Sequence, residues 1–403
     1  MNLLQEKIFK LKGKVQHYAW GGKEFIPHWL GIKNAEHKPF AEYWMGAHPS
    51  ASSTIITNEG EFSLHELIKE NPQELLGKKV QKQFGELPYL FKILDVKEML
   101  SIQVHPSKTE AAKGFEAEEA AGVLLNAPHR NYKDKNHKPE VMIALSEFWL
   151  LHGFLPWQKL KDVLNEIPEF KSFKNIFQND NYKNLYEYVM NLPQKNVDEL
   201  LMPLVKRELL RKKNNELKKH EPGWWVAKLF KEKDEIKNID KGIFSLYFFN
   251  IVKANCGEAV FQKAGIPHAY LEGQNVELMA NSDNVLRGGL TPKHVDVPEL
   301  IKHTFFEGIV PNIMKGEVEK NGEQKYACPV PDFGISKINL NAGETLNAQT
   351  SSLEIWVIME GNMQLKGTNE LTAKKGEAVC LLPNENVVVT AFENTTAYKA
   401  FVP

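Results

Sequence analysis

The chain has 403 residues, beyond the roughly 100–200 of one ordinary domain, so two to three domains are expected. Hydrophobic residues make up 42% and charged residues 25%, and 50 Lys and Arg nearly cancel 51 Asp and Glu. That balance excludes a disordered polyelectrolyte and a chain-wide electrostatic grip on nucleic acid or anionic membrane.

The start, MNLLQEKIFKLKGK, scatters charge through every candidate apolar core and offers no small-residue cleavage site, so no secretory leader is expected. From there to about residue 158, short β-like runs are punctuated by Gly, Pro, Asn and Ser, with helical spacing at Leu64–Phe84 and near Thr109–Leu125. Gln16–Gly22 and Ala41–Ser50 are aromatic-rich and read first as packed strands and turns, although Trp20 beside two glycines can instead stack on a sugar face. Lys92, in LPYLFKILD, is a strand lysine between apolar residues, either an edge charge or a phosphate ligand.

In Ser101-Ile102-Gln103-Val104-His105 the alternation sends Ser101, Gln103 and His105 to one strand face and Ile102 and Val104 to the other. Three polar groups on one face suit a wet or metal-holding cavity or, equally, open solvent. In His137-Lys138-Pro139-Glu140, extended geometry puts Lys138 and Glu140 on a common face that His137 cannot share, which selects Glu140 as the ligand; an exposed Lys/Glu pair is the alternative. The apolar stretch Phe148–Trp157 is far shorter than the ~20 residues needed to span a bilayer.

From about Gln158 to Asn238, apolar residues fall three and four apart between Lys and Glu, predicting a helical module whose cationic run, Arg211 to Lys219, is a solvated face. Strands are expected to resume at GIFSLYFFNIVKANCGEAVFQ and to continue to the end, apart from a helix near Pro298–Thr304. Gly257-Glu258-Ala259-Val260 is echoed by Gly376-Glu377-Ala378-Val379, each predicted to close a strand pair with a tight turn. Eleven residues after the first glycine stands His268, and eleven after the second stands Val387, so only the first unit can hold a histidine-ligated metal.

Cys256, Cys328 and Cys380 form no CxxC pair, so a metal must take nitrogen and oxygen donors. Gln103, His105, Glu140 and His268 form such a set, catalytic in type because structural zinc sites favour closed thiolate-containing shells. Glu277 can face the same cavity. Arg287, before two glycines, suits an oxyanion or phosphate, or a salt bridge to Asp283.

QHYAWGG, AEYWMGAHPS, LPYLFKILD, LSIQVHP, RNYKDKNHKPE, AGIPHAYLEG and ANSDNVLRGGLTPKHVDVPEL, in this order, resemble the type I mannose-6-phosphate isomerases (phosphomannose isomerases). The resemblance implies a mainly β fold with an α insertion: two cupin-type jelly-roll barrels plus a helical domain. The expected division is a catalytic cupin domain at 1–157 and 241–320, a helical insertion at 158–240, and a C-terminal jelly roll without a metal site at 321–403. It implies one Zn²⁺ per chain on Gln103, His105, Glu140 and His268, and interconversion of mannose 6-phosphate and fructose 6-phosphate through an enediol. Arg287 matches the arginine treated as catalytic, Lys138 a position near the substrate and Glu277 a carboxylate at the active-site wall; all three are taken as catalytic, with Glu277, His48 or a metal-bound water as rivals to Lys138 for the base. Ser101 and Lys92 match substrate positions, joined by Trp20 from the residue reading. Small departures are Ser52, where proline is frequent, and Gly288, where alanine often follows the arginine. The expected partner is a small sugar phosphate, with neither nucleic acid nor membrane, for a cytoplasmic monomer. The competing readings are a cupin Fe(II) oxygenase, which also uses two histidines and a carboxylate, and a non-catalytic sugar-binding cupin.

Overall fold

The computed structural model describes residues 5–231 and 235–403. Residues 1–4, the start of the segment read for a leader, and residues 232–234, in the expected helical block, lie outside the described residues. The protein is mainly β-sheet with helices, in sheets of ten, nine and four strands.

The ten-stranded sheet is organised by the long strand His268–Ala280. Its second half pairs antiparallel with Tyr89–Val96 and Glu140–Ala144, and its first half with Phe148–Phe154. A bulge between Tyr270 and Glu272 bends the strand, and the two halves of the sheet close on a shared interior. Leu94, Met142 and Ala144 from one half meet Leu150, Val252 and Tyr270 from the other in one buried cluster. Alternation sends the intervening residues outward. Phe91, Ile93, Val276 and Leu278 pack against Ile335, Ile355 and Val357 of the nine-stranded sheet, while Leu151, Ala269 and Leu271 face the helices.

The helical block forms as expected, with Trp157–Glu166, Tyr182–Asn191, Gln194–Lys213 and Pro222–Phe230. Its cationic run is matched by carboxylates: Arg211 lies 2.9 Å from Glu208 and 3.1 Å from Glu221, and Lys219 2.6 Å from Glu272. One expectation fails here. Gly242–Phe248, read as the resumption of strands, is a helix, and the strand begins at Phe249. Every residue of that helix is buried, so no polar face marks its period, and a short all-apolar run does not distinguish buried helix from buried strand. The patch Leu64–Phe84 is three short helices, interrupted at Asn71 and Gly77.

The nine-stranded sheet draws on both ends of the chain. Ile8–Lys12 runs antiparallel to Ala378–Leu381 and to Thr54–Thr57, which in turn pairs with Gly60–Ser63. Three strands from the first 63 residues therefore extend a sheet otherwise made after residue 316, a pairing that local pattern cannot signal.

The Gly-Glu-Ala-Val echo is structural. Both glycines sit at φ 84°, where a side chain is strained. Gly257 donates to the Ala144 carbonyl and Gly376 to that of Ile358; Gln262 then stands opposite Glu140, and Leu381 opposite Glu354. Glu354 thus occupies the place in the second unit that Glu140 holds in the first. Its neighbours are not histidines but Trp356, whose indole donates to it at 2.8 Å, and Lys399 at 4.0 Å. Val387 is buried in the apolar core of that unit. Among the described residues no helix is long and apolar enough to cross a membrane.

Candidate metal centre

His105, Glu140 and His268 converge although they come from segments far apart in sequence, and their ligand atoms all lie within 4.8 Å of one another. His105 is fully buried and His268 and Glu140 nearly so, which excludes the solvent-exposed alternative for the Ser101–His105 face. Ile102 and Val104 point the other way, into the helix-side core, as alternation requires.

The histidine tautomers are set from outside the site. His105 Nδ1–H donates to the Asn284 carbonyl at 2.8 Å and His268 Nδ1–H to the Ile266 carbonyl at 2.8 Å. Each Nε2 therefore carries a lone pair. These two lone pairs face the two oxygens of Glu140, at 3.4 Å from His105 and 3.3 Å from His268, and both buried nitrogens lack a hydrogen-bond donor. Acceptors facing acceptors at this distance form an arrangement that a bound cation would satisfy.

Burial pushes His105 down to about 4 against the opposing pull of Glu140, so the imidazole is neutral. Burial alone would raise Glu140, but Lys138, with Nζ 3.3 Å away, holds the carboxyl well below the usual carboxylate range. We assign an anionic Glu140 and a neutral His105, with the Lys138 ammonium as counter-ion. Donors of this kind, without a thiolate, fit zinc or a similar divalent ion.

Gln103 is placed by register. It stands directly across from His268 on one side and from Arg287 on the other, so all three side chains leave the same sheet face. Ser101 is half-buried just before that strand. Arg287 is half-buried and has no ion-pair or hydrogen-bond partner among the described residues, and burial lowers its pKa. Its positive charge is felt by Lys133 and Lys293, both also shifted down by burial first. Lys133 Nζ is bonded to the Leu125 and Ala127 carbonyls at 2.8 and 3.4 Å, so the unpaired Arg287 guanidinium is the group best placed to receive an anion.

Glu277, Lys92 and Trp44 lie side by side on three adjacent strands. Lys92 Nζ is 3.0 Å from Glu277, 3.7 Å from Glu42 and 5.0 Å from the Trp44 ring centre. Burial would lower the Lys92 pKa, but Glu42, Glu277 and Glu140 outweigh it and hold the ammonium charged. Glu277 is raised by burial, with Lys92 opposing and Glu140 and Glu42 adding to the rise.

His137 turns away from Glu140, as strand parity predicts, and bonds Asp332 at 3.0 Å. Trp20 is half-buried, stacked on Tyr18 and packed against the interior cluster around Tyr270. His48 lies 3.4 Å from Asp283 and accepts or shares a hydrogen bond with Ser50 at 2.8 Å. Sequence reasoning missed Glu42, Lys133 and Lys293. Glu42 carried a legible signal, since in Glu42-Tyr43-Trp44 the first and third residues share a face, but the aromatics made the segment read as packing.

The family model for the phosphomannose isomerase type I catalytic domain matches residues 8–157. The mannose-6-phosphate isomerase of Shigella flexneri is 39% identical over 94% of this chain and 96% of its own length, and that of Escherichia coli (strain K12) 38% over the same shares. A solved mannose 6-phosphate isomerase from Salmonella typhimurium, bound to fructose 6-phosphate and zinc, superposes with a TM-score of 0.88 at 34% identity, covering 98% of this chain and 100% of the other. Near-complete coverage at such identity, with the expected ligands brought together in one buried cluster, places the chain in the type I mannose-6-phosphate isomerase family.

Proposed function

We propose that this protein interconverts mannose 6-phosphate and fructose 6-phosphate with one zinc ion held by Gln103, His105, Glu140 and His268. The observation that carries the reading is the set of buried lone pairs around Glu140, set beside an unpaired Arg287. Relatives across nearly the whole chain bear this activity in their names, and a structural neighbour holds both fructose 6-phosphate and zinc. The bound metal would supply a Lewis acid for the sugar oxygens. Before metal, the carboxylates Glu42, Glu140 and Glu277 roughly balance Lys92, Lys138 and Arg287; a divalent ion makes the site positive and suited to a sugar phosphate.

Isomerisation moves a proton between C1 and C2 through an enediol, so the protein must supply a base and neutralise an oxyanion. Arg287 takes the developing negative charge. Lys138 and Glu277 are the proton-transfer candidates. Glu277, raised by burial, accepts a proton more readily near neutrality than an exposed carboxylate, and the Lys92 ammonium orients it at 3.0 Å. The expected phosphate role of Lys92 gives way to this, because its ammonium is already shared between two carboxylates; we assign the phosphate to Lys293, with Lys133 adding its charge, and leave Arg287 to the oxyanion. Ser101 and Trp20 stay assigned to the sugar, Ser101 by its place next to Gln103.

We read the architecture as two cupin-type jelly rolls with a helical insertion, supported by the repeated turn and register at Gly257 and Gly376. We also read the protein as a monomer and as cytoplasmic, the three unpaired cysteines supporting the compartment. The test is turnover of mannose 6-phosphate in D₂O. Deuterium at C1 of the fructose 6-phosphate formed is the expected result; dioxygen consumption with Fe²⁺ would instead favour an oxygenase, and sugar binding without turnover a binding protein.

A further inference from the structure

Glu140 and His268 belong to opposite halves of the folded ten-stranded sheet, and the ladder joins them only through Met279, eleven residues along the long strand from His268. Glu140 lies on Glu140–Ala144, paired with Ala259–Gln262; His268 starts the long strand, paired there with Phe148–Phe154. No ladder joins Ala259–Gln262 to Phe148–Phe154 among the described residues.

Beside the apolar packing of Val260 with Phe148 and Leu150, one side-chain hydrogen bond does. Gln262 stands directly across from Glu140, and His152 directly across from His268. Cross-strand partners of this kind lie about 4.5–5.5 Å apart on the same face. His152 Nδ1–H donates to Gln262 Oε1 at 2.7 Å. The bond therefore runs alongside the 3.3 Å approach of His268 to Glu140, one strand out on each side. Both side chains are buried, Gln262 completely, and the Gln262 amide nitrogen has no hydrogen-bond partner. An unsatisfied buried donor destabilises the fold. A pair of apolar side chains would close the same gap without that cost.

We propose that His152 and Gln262 form a cross-sheet brace that sets the spacing of Glu140 and His268, and that they act as positioning residues for the metal ligands. The inference rests on the zinc reading of the site given above. Partners one step removed from a metal typically change affinity or activity by 10–100-fold when lost.

The test compares wild type, His152→Leu, Gln262→Leu and His152→Asn. Asparagine keeps an N–H donor near the place of Nδ1. Zinc affinity of the stripped protein is read by competition with a chromophoric chelator, with no turnover involved, and unfolding of the metal-free protein is followed in parallel. The brace predicts that both leucine variants lose about 10–100-fold in zinc affinity. It also predicts that the double variant loses no more than either alone, that His152→Asn recovers most of the loss, and that metal-free unfolding temperatures hold or rise. Wild-type zinc affinity in both leucine variants would overturn the brace, as would losses that track metal-free destabilisation. If His152→Leu does not fold, Gln262→Met, which keeps length and removes the acceptor, gives the same decision. Failure of the wild type itself to bind zinc would count against the zinc reading, which separates the two claims.

Discussion

Lys92→Met removes a charge and keeps a side chain of similar length, so its effect isolates the electrostatics beneath the site. The ammonium lies 3.0 Å from Glu277 and 3.7 Å from Glu42, with all three side chains buried. Removing one partner of a buried ion pair costs about 3–5 kcal/mol, because the remaining charge is stranded. The loss should depend on pH in a definite direction. The Lys92 pKa is raised in the folded state, so its contribution is complete below the unfolded value of about 10.4 and does not vary between pH 5 and 8. Without it, Glu277, already raised by burial, rises further, and the folded state takes up a proton as pH falls. At about 1.4 kcal/mol per pH unit, lowering the pH from 8 to 5.5 returns at most roughly 3 kcal/mol. Thermal unfolding of the metal-free proteins checks this. A deficit on the order of 10 °C at pH 8 should shrink markedly at pH 5.5. A deficit that is absent, or equal at both pH values, refutes the buried ion-pair account.

Arg287→Ala should keep bound zinc and its unfolding temperature while lowering kcat by about 10²–10³, the usual loss for a group that stabilises a developing oxyanion; metal content and steady-state kinetics on one preparation check it. His105→Ala and His268→Ala should each lower the zinc content of purified protein, read by elemental analysis, with His105→Ala also leaving the Asn284 carbonyl without its donor. Glu354→Gln tests the second unit. Burial raises Glu354 to about 7, against Lys399, so native stability should fall by about 3 kcal/mol between pH 4.5 and 7 as the unfolded chain ionises first. The glutamine variant should lose that slope and keep wild-type turnover, as shown by unfolding curves at several pH values and an activity assay.

The site was legible because its chemistry follows strand parity. Alternation at Ser101–His105 and Lys138–Glu140 is a local property, and the structure brings His105, Glu140 and His268 into one cluster and sends His137 to Asp332. The paired glycine turns were legible for the same reason, since a positive φ needs glycine at one defined position. What escaped depends on partners distant in sequence. The carbonyls of Asn284 and Ile266 that fix the histidine tautomers are backbone groups and leave no residue signature. The Lys92 network needs Tyr89–Val96 to lie between two particular strands, and the contribution of Ile8–Lys12 to the other sheet is a pairing across more than 360 residues. Gly242–Phe248 was misread because complete burial removes the polar face from which a helical period is recognised.

The most direct test of the account titrates Zn²⁺ into chelator-stripped protein while fructose 6-phosphate formation from mannose 6-phosphate is followed. The four-ligand centre predicts no turnover without metal, then a rate that climbs linearly and breaks at one zinc per chain. Full turnover in the stripped protein, or a rate that zinc leaves unchanged, would contradict it.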